Sequence, residues 1–223
     1  MSIDRRTVLL GLAAAAVTGC AKPGSAVYQV IDSYRALDRA KKEYPFTKAD
    51  IMGQPLGVLG VQVEGGLKGI VVWNKRENGL DYWRSGNGVL VVMREGRLVK
   101  TSGFPTDLLA SRLLAGVDPL GTPLDRTRSY EFRRELDYLP NQYGVEAVHR
   151  LSYVGETTIS IFDEKKPVSE WRETVRLPAK RRSYEQIIQV DPVSGRLMSS
   201  SQHVGERMSV RFELLKLPES PAP

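Results

Sequence analysis

The stretch RSYEFRRELDY, residues 128–138, decides how the chain folds. Tyr130, Phe132, Leu136 and Tyr138 alternate with Glu131, Arg133, Glu135 and Asp137. A period of two puts the first set on one face of an extended strand and the second on the other, so the segment reads as a half-buried strand of an antiparallel sheet. Arg134 falls on the apolar face. A guanidinium there needs a carboxylate partner or an open rim, because an unpaired buried charge is too costly to keep. The carboxyls of Glu131, Glu135 and Asp137 invite comparison with the acid pair of a glycoside hydrolase. Sharing a face with Arg133, they read instead as a solvated, salt-bridged surface.

The same rhythm continues towards the C-terminus. Glu146–Val154, Thr157–Phe162, Val168–Leu177, Tyr184–Val190, Arg196–His203 and Met208–Leu215 all read as strands. VDPVSGR, residues 190–196, joins two of them. Asp191-Pro192 opens this turn, and Gly195 supplies the left-handed residue that closes it. Towards the N-terminus, Leu56–Val63 and Leu67–Asn74 flank Gly65-Gly66, and Val89–Arg94 and Arg97–Thr101 flank Glu95-Gly96, giving two hairpins. TDLLASRLLA, residues 106–115, breaks the pattern: Leu108, Leu109, Leu113 and Leu114 sit at helical spacing and Gly116 ends the run, which predicts a short helix. Another helix is expected over 26–42, where Val27, Val30, Ile31, Tyr34 and Leu37 share a face, Ser25 can cap the start, and Tyr44-Pro45 stops the run. The expected fold is mainly β: an antiparallel meander forming a strongly curved sheet, sandwich or incomplete barrel, with an N-terminal helix and one short internal helix. So long a meander must close, curl or be covered to protect its edges.

Before this domain lies DRRTVLLGLAAAAVTGCAKPG, residues 4–24. Arg5 and Arg6 precede an uncharged apolar run, and Val17, Thr18 and Gly19 lead into Cys20, the only cysteine. That order is a secretory signal, and its apolar run is too short to span a bilayer. Val17-Thr18-Gly19-Cys20 resembles the lipobox of bacterial lipoproteins, in which the chain is cut before the cysteine and acyl chains are added to the sulfur and the new amino group. A lone thiol has no partner for a disulfide and, at a chain end, no fixed histidine to activate it. The paired arginines also resemble a twin-arginine export signal; plain Sec export is the alternative. Ala21, where inner-membrane lipoproteins usually carry aspartate, implies the outer membrane. The chain thus divides into a signal peptide (1–19), a lipidated N-terminus, spacer and amphipathic helix (20–45), a β domain (46–217) and a proline-rich, loose tail (218–223).

Composition bounds the rest. The chain has 223 residues and a formal charge of +6, with 41% hydrophobic residues, enough for one medium domain with a real core. Export excludes nucleic acid as a partner. A modest positive balance in an exported protein reads as ordinary solubility charge, with acidic polysaccharide or phospholipid head groups as the functional alternative.

Several strings then fit together: TKADIMGQPLGVLGVQVEGG (47–66), VLVVMREGRLVKTSG (89–103), DPL (118–120) and QVDPVSGRLMSSSQHVGERMSVRFELLKLP (189–218). Their order and spacing resemble the YjbF/GfcB lipoprotein family over roughly residues 46–218. The resemblance implies an outer-membrane lipoprotein, facing the periplasm, encoded with genes for exopolysaccharide or capsule assembly and export. It carries over no catalytic residues.

Residue chemistry gives no strong sign of catalysis. His149 shares a strand face with Val145, Ala147, Leu151 and Tyr153 and reads as a partnered core or rim group. His203, beside Ser199–Ser201, reads as part of a polar strand. No metal site and no cofactor are expected. Lys180, Arg181 and Arg182 lie between two strands, as a solvated turn or as a contact for an anionic glycan or lipid. Trp73, Trp83 and Trp171 read mostly as core, and one left exposed on a concave surface would be a sugar-stacking candidate. The expected protein is a non-enzymatic accessory factor, membrane-bound through acyl chains on Cys20, whose partners are a polysaccharide or export proteins. A lipid carrier or sensor with a cavity in a curved sheet, and a glycan-modifying enzyme, are the alternatives. A dry apolar cavity would favour the carrier, a polar groove lined by tryptophan and arginine would favour glycan binding, and two carboxyls facing across a cleft would favour the enzyme.

Overall fold

The computed structural model describes residues 42–218. The signal peptide, Cys20, the helix expected over 26–42 (all but Lys42) and residues 219–223 lie outside the described residues. A single turn and a half of helix, α1 (Lys48–Gly53), opens the domain. Thr47 caps it by accepting from the Asp50 N–H, while the Asp50 carboxylate accepts from the Thr47 N–H, a reciprocal capping box.

Twelve strands follow among the described residues: β1 (Val58–Val63), β2 (Lys68–Glu77), β3 (Leu80–Arg84), β4 (Leu90–Arg94), β5 (Arg97–Ser102), β6 (Leu108–Ala115), β7 (Tyr130–Tyr138), β8 (Gln142–Ile161), β9 (Glu164–Leu177), β10 (Arg182–Val190), β11 (Leu197–Gly205) and β12 (Met208–Lys216). They form one antiparallel sheet in the order β5-β4-β3-β2-β1-β12-β11-β10-β9-β8-β7-β6. Every strand but two is bonded to both its sequence neighbours, and β1 is bonded to β12. The sheet is therefore an up-and-down ring, a nearly closed barrel, with one seam between β5 and β6. The curved-sheet and incomplete-barrel expectation holds in this form.

β7 shows the logic of the wall. Phe132, Arg134, Leu136 and Tyr138 are buried and the residues between them are not. Inside, Leu59, Val71, Val91, Leu136, Val175 and Phe212 pack together from facing walls. Outside, β7 to β10 present Glu131, Arg133, Glu146, Arg150, Arg172 and Glu185. A second apolar cluster lies on the outer face, where Ile51 of α1 and Ile159, Ile161 and Val168 from the distal end of the β8–β9 hairpin cover Val58 and Leu215.

Two expectations need correction. Residues 106–115 are not a helix: 108–115 are β6, paired along β7. Two register shifts interrupt that pairing, so the leucines lose strict alternation and mimic helical spacing. The separate strands Glu146–Val154 and Thr157–Phe162 are one strand, β8, with a bulge between Tyr153 and Gly155. The bulge switches which residues face outward and lets the distal hairpin turn its apolar side onto the outer cluster.

Candidate functional site

Two polar regions lie within the barrel. The first is a buried ionic network. Arg97 on β5 donates from Nη1 to Glu173 on β9 at 2.6 Å and from Nε to Asp118 in the β6–β7 connection at 2.9 Å. Arg134 on β7 donates to the same Asp118 oxygen at 2.8 Å and to Ser111 Oγ at 2.7 Å. His149 Nδ1 on β8 lies 3.0 Å from Glu173 Oε1. Two cations and two carboxylates balance if His149 is neutral. Burial pushes Glu173 up, but Arg97 and His149 outweigh it and hold the carboxyl at about 2. Burial pulls His149 down and outweighs the attraction of Glu173. Burial, then the facing Arg97, lowers Arg134 to about 10. One adjoining cavity, bordered by His149, Tyr184 and Gln186, measures about 20 Å³, room for a water molecule, and a second of about 620 Å³ beside β3 to β6 is bordered by Ser111, Asp118 and Arg134.

The second is a pocket of about 320 Å³ at the end of the barrel where the chain enters β1 and leaves β12. Leu59, Met93, Leu197 and Leu214 form apolar wall. Trp73 and Trp83, a cross-strand pair on β2 and β3, both line it. Trp73 Nε1 donates to Asp81 Oδ1 at 3.1 Å. Arg76 bonds Glu95 and lies 3.8 Å from Asp81, so one guanidinium holds both carboxylates. Arg196 stands exposed at the rim, with no ion pair among the described residues. Trp83 is 4% exposed, and its Nε1 has no hydrogen-bond partner among the described residues. Gly195, in the left-handed region at φ 71°, holds the turn bearing Arg196 so close to the β6–β7 connection that a Cβ there would collide with the Thr122 carbonyl.

The residues singled out from sequence are distributed as follows. Arg5, Arg6, Val17, Thr18, Gly19 and Cys20 lie outside the described residues. Lys180, Arg181 and Arg182 sit at the opposite end of the barrel from the pocket. Lys180 bonds Gln142 and pairs with Glu206, and Arg182 Nη1 bonds Glu206 at 3.2 Å. His149 is the partnered core group expected. His203 stacks on Tyr184 at 3.9 Å between ring centroids, its Nδ1 contacting the Gly205 carbonyl rather than a serine. Trp171 is fully buried. Among the described residues no three His, Cys, Asp or Glu side chains are grouped to hold a metal ion.

Arg76, Asp81, Glu95 and Arg196 were not legible as a group. The signal that could have found part of it is Asn78-Gly79, at φ 52° and 73°, which closes the β2–β3 hairpin. Counting back from that turn pairs Arg76 with Asp81, whereas Trp73 comes opposite Trp83 only through the register shift between Trp73 and Lys75.

A profile described as "Group 4 capsule polysaccharide lipoprotein gfcB, YjbF" matches residues 21–215. The chain belongs to the YjbF/GfcB family. The chain is also 22% identical to the uncharacterized lipoprotein GfcB of Escherichia coli K12 over 202 residues, 90% of this chain and 92% of that protein. The crystal structure of the hypothetical lipoprotein YmcC from Escherichia coli K12 superposes with a TM-score of 0.69 at 22% identity, covering 89% of this chain and 97% of that one. The barrel of this YjbF/GfcB member is thus a fold already seen in a solved lipoprotein.

Proposed function

We propose that this protein is a non-enzymatic accessory factor in capsule or exopolysaccharide assembly or export, held by acyl chains on Cys20 at the periplasmic face of the outer membrane. The observation that carries this reading is the family match across almost the whole mature chain. The barrel's polarity supports the lipid tether. Its interior is mostly apolar, with its buried charges paired, and its outer wall carries Glu131, Arg133, Glu146, Arg150 and Arg172, the reverse of a barrel that faces lipid. Charges on a lipid face would cost about 2–4 kcal/mol each for Lys or Arg near the bilayer centre. Attachment therefore falls to the N-terminus, where each buried methylene contributes about 0.8 kcal/mol and more than one chain is needed for stable anchoring. The Trp- and Arg-lined pocket favours glycan binding over the lipid-carrier alternative. Asp81 and Glu95 share one arginine instead of facing each other across a cleft, which weighs against the enzyme.

The test has two arms. Cys20→Ala should move the protein from the membrane to the soluble fraction, and deletion of the gene should lower surface polysaccharide without altering intracellular sugar-nucleotide pools. A Cys20→Ala protein that stays membrane-bound would overturn the tether. Unchanged polymer in the deletion strain would overturn the role.

A further inference from the structure

We infer that the pocket at the entry end of the barrel binds one acidic pyranose residue, a hexuronate of a polysaccharide chain. This rests on the polysaccharide reading above and deepens it. The pocket's volume of about 320 Å³ lies at the small end of ligand sites, the scale of one ring rather than a lipid tail pair. Its wall is divided as a sugar is. Trp73, Trp83 and Leu214 offer apolar surface for the C–H faces of a ring, and aromatic rings with one polar tip suit ligands that are half apolar. Arg76, Asp81 and Glu95 form an ion-paired row whose remaining donors and lone pairs match ring hydroxyls. The carboxylates in that row accept from hydroxyls, which leaves the acidic group of the sugar to the rim.

Two observations point to a missing ligand. The Trp83 indole N–H lies buried in the pocket wall without a partner among the described residues, as does that of Trp171 in the core, and a ring that moves the pocket wall slightly would satisfy it. Arg196 presents an exposed guanidinium at the rim, near Asp191 but in no ion pair among the described residues, the group suited to a uronate. The pocket also lies at the end of the barrel where the described chain leaves β12, with Leu217 and Pro218 in its lining.

The experiment uses the full mature chain carrying Cys20→Ala, with indole N–H signals followed by NMR. The probes are a glucuronate–N-acetylglucosamine tetrasaccharide, maltotetraose and phosphatidylglycerol vesicles. The acidic tetrasaccharide should shift the signal assigned to Trp83 through Trp83→Phe. Arg196→Ala, an exposed change that leaves the core intact, should weaken that binding about tenfold, the loss of one charge-assisted pair. Maltotetraose should bind about tenfold more weakly than the acidic probe for the same reason. No indole shift with millimolar acidic tetrasaccharide, an equal response to maltotetraose, or a Trp83 shift produced by the vesicles alone would overturn the inference. In that event a polysaccharide defect in the deletion strain would still leave the accessory role standing, so the two failures are separable.

Discussion

Arg134 is tolerated on the inner face of β7 because Asp118 meets it at 2.8 Å, and the same carboxylate also receives Arg97 at 2.9 Å. The alternation of 128–138 exposes the need for such a carboxylate. It cannot reveal which one, because Asp118 lies in an irregular connection with no periodicity of its own. Glu173 is the other hub, fully buried between Arg97 and His149. Glu173→Gln should therefore leave Arg97 with less countercharge and His149 with a weaker partner, at a cost of about 3–5 kcal/mol in denaturant unfolding. Removing both ends together, as Arg97→Met with Glu173→Leu, should recover most of that loss, since Asp118 and Arg134 remain paired. A double variant no more stable than Glu173→Gln would show that the network stabilises by more than cancelling its own desolvation.

At the level of elements, the seam is the weak line of the ring. β5 and β6 share no ladder, and side chains span the gap instead. Asp107 accepts from Thr101 Oγ1 at 2.8 Å, Gly103 N at 3.1 Å and Phe104 N at 3.3 Å, and Thr101 Oγ1 accepts from Leu108 N at 2.9 Å. Across the barrel, the Gln202 amide accepts from Leu98 N at 2.9 Å and donates to Gly96 O at 2.8 Å, occupying backbone groups on the free edge of β5. Asp107→Ala should cost about 2–4 kcal/mol and raise amide hydrogen exchange in β5 and β6 while β9 and β10 stay protected. Equal acceleration in all strands would mean that the seam does not open separately. Seam geometry also explains what sequence could not show. β6 reads as a helix because its two bulges break alternation, whereas β7, β9 and β10, each paired on both sides, were legible. β3, LDYWR, lacks the branched apolar run that made β4, of the same length, readable, and its turn signal, Asn78-Gly79, is the better clue.

For the whole molecule, the buried charges set a one-sided response to acid. The folded carboxyl of Glu173 sits at about 2 against an ordinary 4.5, so its stabilisation is complete above 4.5 and is lost as pH falls towards 2. His149 is held below its ordinary 6.5, so the fold favours the neutral ring, and that stabilisation too is present above 6.5 and lost below it. Both act in one direction. Melting temperature should be level above about pH 7, fall gently at first, and fall steeply below about pH 4.5. His149→Gln should remove the early decline and leave the steep one, which thermal melts at about pH 7.5, 5.5 and 3.5 can separate. An optimum on the acid side would contradict the buried arrangement. The overall class of fold was readable because most strands follow one rule. The pocket was not, because its groups come from β1 to β4 and from β11 and β12, which only the closed ring brings together.

That closure has a kinetic consequence. Ten of the eleven ladders among the described residues join strands adjacent in the chain, whereas the β1–β12 ladder joins the first of these strands to the last. Local hairpins can zip early, but this final pairing must wait for nearly the entire domain to emerge and must meet the largest loop-closure entropy. Until it forms, the nascent protein is two separate ribbons, β1–β5 and β6–β12, with β1 and β12 bare at their edges, the state in which an exported chain most needs protection from its neighbours.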